Sequence, residues 1–182
     1  MKRLIYCSTN TVEYDSEGNI VPLEIANKFR NSKIRNRQGQ LLVCYHGTNA
    51  EFEEFKEEFI SSSSGNFGWF GKGFYFTNSE KVSKQYGNIR KKCYLNITKP
   101  FKFFDKDSVW ELIMIGGHPR TYNDRLVPYA YDGNSEVEDF TNVIVSAGYD
   151  GVIASYKSGG MKPSDGKEFV CFSPSQIYVI KD

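Results

Sequence analysis

His46 closes an apolar run, Leu41-Leu42-Val43-Cys44-Tyr45, and is followed by Gly47 and Thr48. The end of a buried strand is where a fold presents a side chain to a cleft, and a glycine there lets a ligand approach the backbone. A hydrogen-bonded structural histidine fits the same pattern. His118, the other histidine, lies in a Gly-Gly-His-Pro loop and carries little weight. A second stretch, Gly71-Lys72-Gly73, leads into Phe74-Tyr75-Phe76-Thr77. Its amides suit an anion, but it lacks the order of a dinucleotide fingerprint and of a P-loop. Glu168 opens a third stretch, Phe169-Val170-Cys171-Phe172. A carboxylate before such a run is either a solvated strand end or an acid set into a pocket.

The elements that must hold these groups are short. Apolar periodicity gives helices over 23–29, 108–115 and 137–147 and a helical turn or two among the phenylalanines of 51–59. Thr77-Asn78-Ser79-Glu80 has the T-x-x-E pattern of a helix start. That helix should run over 78–86 to Gly87, stacking Ser79, Ser83 and Tyr86. Strands are expected over 41–45, 74–77, 93–97, 151–154, 168–172 and 176–180. Pro100 ends one of them, and 117–134 reads as a loop or insertion. Strands outnumber helices and alternate with them irregularly, which is α+β rather than doubly wound α/β. We divide the chain into a lead-in with a short helix, residues 1–40, and a main domain carrying all three candidate stretches, residues 41–182.

The 182 residues suit one domain. With 40% hydrophobic and 25% charged residues, wholesale disorder is excluded. A net charge of +1 provides no global field for nucleic acid. No apolar run approaches the ~20 residues of a membrane span. Cysteines 7, 44, 93 and 171 lack metal-ligand spacing, so neither a metal nor a disulfide framework is expected. Reduced thiols suit the cytoplasm, with delivery into another cell left open. Five basic residues within 28–37 (Lys28, Arg30, Lys33, Arg35, Arg37) form either a solvated lead-in or a phosphate-contacting arm.

Taken together, Tyr45-His46-Gly47-Thr48, Gly71-Lys72-Gly73-Phe74-Tyr75-Phe76-Thr77 and Glu168-Phe169-Val170-Cys171-Phe172 with Gln176-Ile177 resemble the ADP-ribosyltransferase superfamily. The branch is the His-Tyr-Glu one, of poly(ADP-ribose) polymerases and diphtheria-type toxins. Ser83 and Tyr86 follow Tyr75 by eight and eleven residues (83 − 75 and 86 − 75), as the family's serine and second tyrosine do. The lead-in from Phe29 to Asn36 and the segment Gly148-Tyr149-Asp150-Gly151-Val152 are similar to a narrower group. Those are the transferase domains of phage and mobile-element polyvalent proteins. The resemblance spans about residues 23–182, apart from 117–134.

The resemblance implies a split β-sandwich of two small sheets with flanking helices. It implies NAD+ as substrate, with His46, Tyr75 and Glu168 as catalytic triad. Nicotinamide would bond the backbone of Gly47 and Ser83 and lie between Tyr75 and Tyr86. His46 and Thr48 would take the adenosine-side ribose, and Glu168 the nicotinamide-side ribose. Thr48 replaces the usual serine and keeps the hydroxyl. The residues before the motif are too few for a helical regulatory domain, so single transfer is expected rather than chain growth. The acceptor, protein or nucleic acid, would be chosen by loops 61–72 and 156–167, bearing Phe67, Trp69, Phe70, Tyr156 and Met161. A basic cluster (Lys81, Lys84, Arg90, Lys91, Lys92) is either solvated surface or a contact for nucleic acid or the pyrophosphate. A silent NAD+- or ADP-ribose-binding module and an NAD+ glycohydrolase are the alternative activities.

Overall fold

A computed structural model describes residues 12–60, 70–103, 106–117, 120–122, 125–127, 134–155 and 166–181. His118, Cys7 and most of both expected acceptor loops lie outside them. The strands are β1 (Cys44–Thr48), β2 (Phe74–Thr77), β3 (Ile89–Leu95), β4 (Pro100–Phe103), β5 (Arg120–Tyr122), β6 (Arg125–Val127), β7 (Gly151–Ser155), β8 (Lys167–Cys171) and β9 (Ile177–Val179). The helices are α1 (Leu23–Lys28), α2 (Glu80–Ser83), α3 (Lys106–Met114) and α4 (Asn134–Ser146). The fold is α+β. Seven strands form one mixed sheet in the order β4-β7-β8-β2-β1-β3-β9, and β5 and β6 form a separate hairpin.

The resemblance implied two small sheets; the pairing is continuous. It is nonetheless thin at one seam, where β1 and β2 share the single paired position Tyr45–Thr77. The sheet is also curled. β3 and β4 stand five positions apart in its order, about 24 Å on a flat sheet. Residues 96–99 alone join them, a reach of about 17 Å from Leu95 to Pro100. Curling resolves the conflict and brings Ile97 against Gly151 of β7, where no Cβ would fit.

Alternation along the strands sorts the core onto two faces. Inside the curl, Cys44, Phe74, Phe76, Cys93, Leu95, Ile153, Phe169 and Cys171 pack with Ile34 and Ile97. Burial pushes the Cys44 and Cys171 thiols up, so they stay protonated and inert. The outer face is covered at its ends. Phe140 and Ile144 of α4 and Val109 and Leu112 of α3 cover β4, β7 and β8. Val21, Ile25 and Phe29 cover β1, β3 and β9 through Val43 and Tyr94. Between these covers, over the seam, the short α2 alone sits among the described residues.

The segment before β1 belongs to this packing. Buried Asp15 accepts from Tyr94 at 2.7 Å, and Tyr45 donates to Glu17. Arg35 of the basic run pairs with Glu13 at 2.6 Å and donates to the carbonyls of Phe29 and Gly39. Its charge is therefore spent on the chain itself.

Several strands differ from the sequence expectation: β3 runs over Ile89–Leu95 rather than 93–97, and β5 and β6 fall within 117–134, read from the sequence as a loop or insertion. β1 starts at Cys44 rather than Leu41 and continues through His46 and Gly47, because β3 pairs with it as far as Thr48–Ile89. Pro100 opens a strand, β4, as well as following one; a first strand position tolerates its missing N–H.

The Gly-Tyr-Asp-Gly-Val segment is the clasp of the curl. Asp150 Oδ2 accepts from the amide and hydroxyl of Thr98 at 2.8 and 2.6 Å, and Oδ1 from the Lys99 amide at 2.8 Å. Gln176 donates to the Asp150 carbonyl at 2.6 Å and accepts from the amides of Phe172 and Ser173. Asp150→Ala should therefore cost about 2 kcal/mol by stranding the Thr98 and Lys99 donors, about 4–8 °C in Tm. An unchanged thermal melt would show that water replaces the carboxylate without loss.

Candidate active site

The direction of each peptide group at the seam follows from one bond. The Asn78 amide donates to the Lys167 carbonyl at 3.4 Å, so Asn78 and Phe76 turn their peptide groups toward β8. Tyr75 and Thr77 then turn theirs toward β1. Tyr45, paired with Thr77, faces back, and Gly47 shares its direction. Continued pairing would set Gly47 opposite Tyr75, but the strands part there. The Tyr75 carbonyl instead accepts from the His46 ring, Nδ1 lying 2.8 Å away. The N–H and C=O of Gly47 thus point into the gap between β1 and β2.

A carbonyl can only accept, so Nδ1 carries the proton. Burial holds His46 below the usual imidazole range, against the opposing pull of the Tyr75 bond. The ring is neutral at pH 7 and Nε2 is an acceptor. It lies edge-on to Phe52 and Phe55, with centroids 6.2 and 5.1 Å away, and 5.5 Å from Phe76. His46 is thus on the inner face, within the strand rather than at its exit.

The outer face holds the other candidates. Ala154, Glu168, Thr77, Tyr45 and Lys92 form one cross-strand row over β7, β8, β2, β1 and β3. Tyr75 lies two residues from Thr77, diagonal to Glu168, which places their Cα atoms about 7–8 Å apart. The Tyr75 hydroxyl donates to the Gly71 carbonyl at 2.7 Å and accepts from the Phe70 amide at 3.0 Å. It anchors the end of the loop that precedes β2.

The end of α2 lies flush on β1. A Cβ on Gly47 would overlap the Ser83 carbonyl oxygen and meet the Tyr86 Cβ at 3.1 Å; one on Gly87 would overlap the Thr48 backbone. Helix α2 is shorter than expected and is capped two residues later. Thr77 ends β2 and its hydroxyl accepts from the Ser79 amide at 3.1 Å, so Ser79, not Thr77, caps the helix by accepting from Val82. Beyond Ser83 the chain tightens into turns, with Tyr86 N–H on the Ser83 carbonyl at 3.1 Å. Buried Ser83 donates to the Glu80 carbonyl at 2.8 Å and keeps its acceptor lone pairs. Thr48 Oγ1 accepts from the Ala50 amide at 3.1 Å. Tyr86 is 59% exposed and is no core residue.

Glu168 is partly buried, and burial pushes its carboxyl up to about 8. The Tyr86 phenol is raised first by partial burial and then by the charge of Glu168. Gly47, Tyr75, Ser83, Tyr86 and Glu168 therefore share the outer face, and His46 reaches the same gap from inside.

Sequence reading missed two groups here. Thr77 is buried opposite Glu168, and Asn78 Oδ1 accepts from the Lys167 amide at 2.7 Å, pinning the start of β8. A threonine ending an apolar strand carries no chemical signal, and the Asn78 contact spans 89 residues. The basic cluster is largely neutralised. Lys84 and Arg90 pair with Glu80, Lys91 with Glu51 and Lys92 with Glu17. Among the described residues, no group of histidine, cysteine and acidic side chains is arranged to hold a metal ion. No described helix is long and apolar enough to cross a membrane.

A family model described as ADP-ribosyltransferase in polyvalent proteins matches residues 36–182. The chain belongs to that family of the ADP-ribosyltransferase superfamily. Domains of this class are transferases with NAD+ as substrate. Among solved structures, the chain is similar to an anti-CRISPR protein at 14% identity and a TM-score of 0.40, over 76% of this chain and 94% of that one. No curated protein matches it.

Proposed function

We propose that the chain is a mono-ADP-ribosyltransferase of the His-Tyr-Glu type that moves ADP-ribose from NAD+ to a macromolecular acceptor. The carrying observation is that Glu168, Tyr75 and Gly47 share one face of the seam, with Ser83 and Tyr86 of the α2 turn packed against Gly47. In this reading the nicotinamide carboxamide pairs with the Gly47 N–H and C=O, and its amide N–H reaches Ser83 Oγ. Tyr86 covers the ring and Tyr75 floors it. His46 Nε2 accepts from an adenosine-side ribose hydroxyl, with Thr48 beside it.

The C1′–N bond breaks with its electrons passing to the pyridinium nitrogen, and neutral nicotinamide leaves. Positive charge grows on the ribose, as in glycoside cleavage. Glu168 holds the 2′-hydroxyl and offsets that charge, which is stronger in the transition state than in the ground state. An acceptor nucleophile then bonds C1′ and gives up its proton. The test is nicotinamide release with and without cell lysate, beside labelling of the lysate from biotin-NAD+. Acceptor-dependent release with labelled protein or nucleic acid supports transfer. Release without label means hydrolysis, and NAD+ binding without release means a silent module.

Tyr86→Ala separates ground-state binding from chemistry. Ring stacking is worth about 0.5–1.5 kcal/mol, so KM for NAD+ should rise about two- to tenfold with a smaller change in kcat. The ring is exposed, so the thermal melt should barely move. A variant with wild-type NAD+ affinity would remove the stacking role and leave that of Glu168 standing.

A further inference from the structure

The hydroxyl end of Tyr75 is held by a peptide group that α4 holds in turn. The phenol donates to the Gly71 carbonyl at 2.7 Å and accepts from the Phe70 amide at 3.0 Å. The Gly71 carbonyl and the Lys72 amide belong to one peptide plane, and that amide donates to Thr141 Oγ1 of α4 at 2.7 Å. A chain of hydrogen bonds thus runs from the Phe70 amide through the Tyr75 hydroxyl and the Gly71–Lys72 peptide to Thr141. Bonds in such a chain polarise one another, so the Thr141 acceptor strengthens the hold of the Gly71 carbonyl on the phenol. Packing presses the same peptide onto α4. A Cβ on Gly71 would stand 2.5 Å from Thr141 Oγ1 and 2.9 Å from the Phe140 ring, and the φ of +92° there favours glycine. Buried Phe70 lies 5.6 Å from Phe103, and the Tyr75 ring packs against the same cluster. The phenol proton is committed to the Gly71 carbonyl, which leaves Tyr75 its ring for the site.

We propose that Thr141 is a positioning residue for Tyr75. It fixes the Gly71–Lys72 peptide from α4, and that peptide fixes the tilt of the Tyr75 ring. This deepens the reading above and rests on Tyr75 flooring the nicotinamide. Valine nearly keeps the volume of Thr141 and removes the acceptor; serine keeps the acceptor.

The test is carbon-13 NMR of the free protein labelled at tyrosine Cζ, whose signal reports hydrogen bonding at the phenol. The Tyr75 signal is assigned with Tyr75→Phe and followed in wild type, Thr141→Val and Thr141→Ser. Steady-state nicotinamide release and thermal melts accompany it. Thr141→Val should move the Tyr75 signal and raise KM for NAD+ about two- to fivefold, part of the worth of a stacked ring, with kcat within about twofold. Thr141→Ser should restore both. Tyr75→Phe keeps the ring and loses the anchor, so it should raise KM to a similar extent. Adding Thr141→Val to it should cost little more, because both act through one peptide. An unmoved Tyr75 signal in Thr141→Val overturns the proposal. So does a lower melting temperature with wild-type KM, because Thr141 would then serve packing alone. If Thr141→Val does not fold, wild-type KM in Tyr75→Phe overturns the proposal instead. If the wild type releases no nicotinamide, the transfer reading fails, while the Tyr75 signal still decides the role of Thr141.

Discussion

Glu168→Gln should lower kcat for nicotinamide release by about 10²–10³ while NAD+ affinity stays close to wild type. The substitution keeps shape and hydrogen-bonding capacity and removes only the charge. Loss of one preorganised electrostatic stabiliser costs about 2.7–4 kcal/mol. Because burial holds this carboxyl up at about 8, the wild-type kcat/KM should rise with pH through that value as the anion forms. In kcat the limb should move to lower pH, since the cationic nicotinamide of bound NAD+ favours the carboxylate. A variant with wild-type turnover would reduce Glu168 to a strand end.

The same substitution should stabilise the fold, and only in one pH range. An ordinary glutamate in the unfolded chain titrates near 4.5, against about 8 in the fold. Between these values the folded state binds more protons than the unfolded one, so stability falls as pH rises. The penalty is absent below about 4.5 and complete above about 8. Glutamine carries no charge at any of these pH values. Its melting temperature should match wild type in acid and exceed it by several degrees at pH 9, at about 2–4 °C per kcal/mol. Equal melts at pH 9 would show that the native Glu168 carboxylate is well solvated. A residue that gains stability and loses turnover when neutralised is held for chemistry rather than for the fold.

What the sequence made legible follows from how local each signal is. Phe74-Tyr75-Phe76-Thr77 and Gly151-Val152-Ile153-Ala154 are buried on both faces and appear as unbroken apolar runs. Four of the five helix expectations appear as helices or as a 3-10 turn close to the expected bounds, because apolar spacing marks them directly. β4 was hidden because Pro100 reads as an end, and its parallel partner β7 lies some 50 residues on. The length of α2 misled because Thr77 and Glu80 match a capping pattern that Ser79 takes over. Within the site, residue type and strand position made His46 and Glu168 candidates, and the resemblance added Tyr75. That His46 lies on the inner face, bonded to the Tyr75 carbonyl, depends on a cross-strand register that no short window of sequence encodes.

Gly47→Ala should damage both the fold and the site with a single methyl. The glycine is not needed for a left-handed backbone, since its φ is unexceptional. It is needed for space. The new Cβ would overlap the Ser83 carbonyl oxygen and press the Ser83 carbonyl carbon at 3.0 Å. Both obstacles are backbone, so no side chain can swing away, and the end of α2 must retreat by about 1 Å or more. That retreat carries Ser83 and Tyr86 with it and displaces them from the Gly47 peptide edge. Misplacement on this scale costs about 10²-fold in rate, and overpacking costs about 1–3 kcal/mol in stability. kcat/KM should therefore fall about 100-fold or more, and the melting temperature by several degrees. The partner variant Gly39→Ala provides the control for backbone effects alone. Gly39 has φ +83° with nothing near its Cβ, so it should lose stability by strain and keep its NAD+ kinetics. If Gly47→Ala melts lower but turns over NAD+ with wild-type kcat/KM, the junction of α2 and β1 is packing only. If melting temperature and kcat/KM fall together, the close approach of Gly47 and Ser83 is what shapes the nicotinamide end of the site.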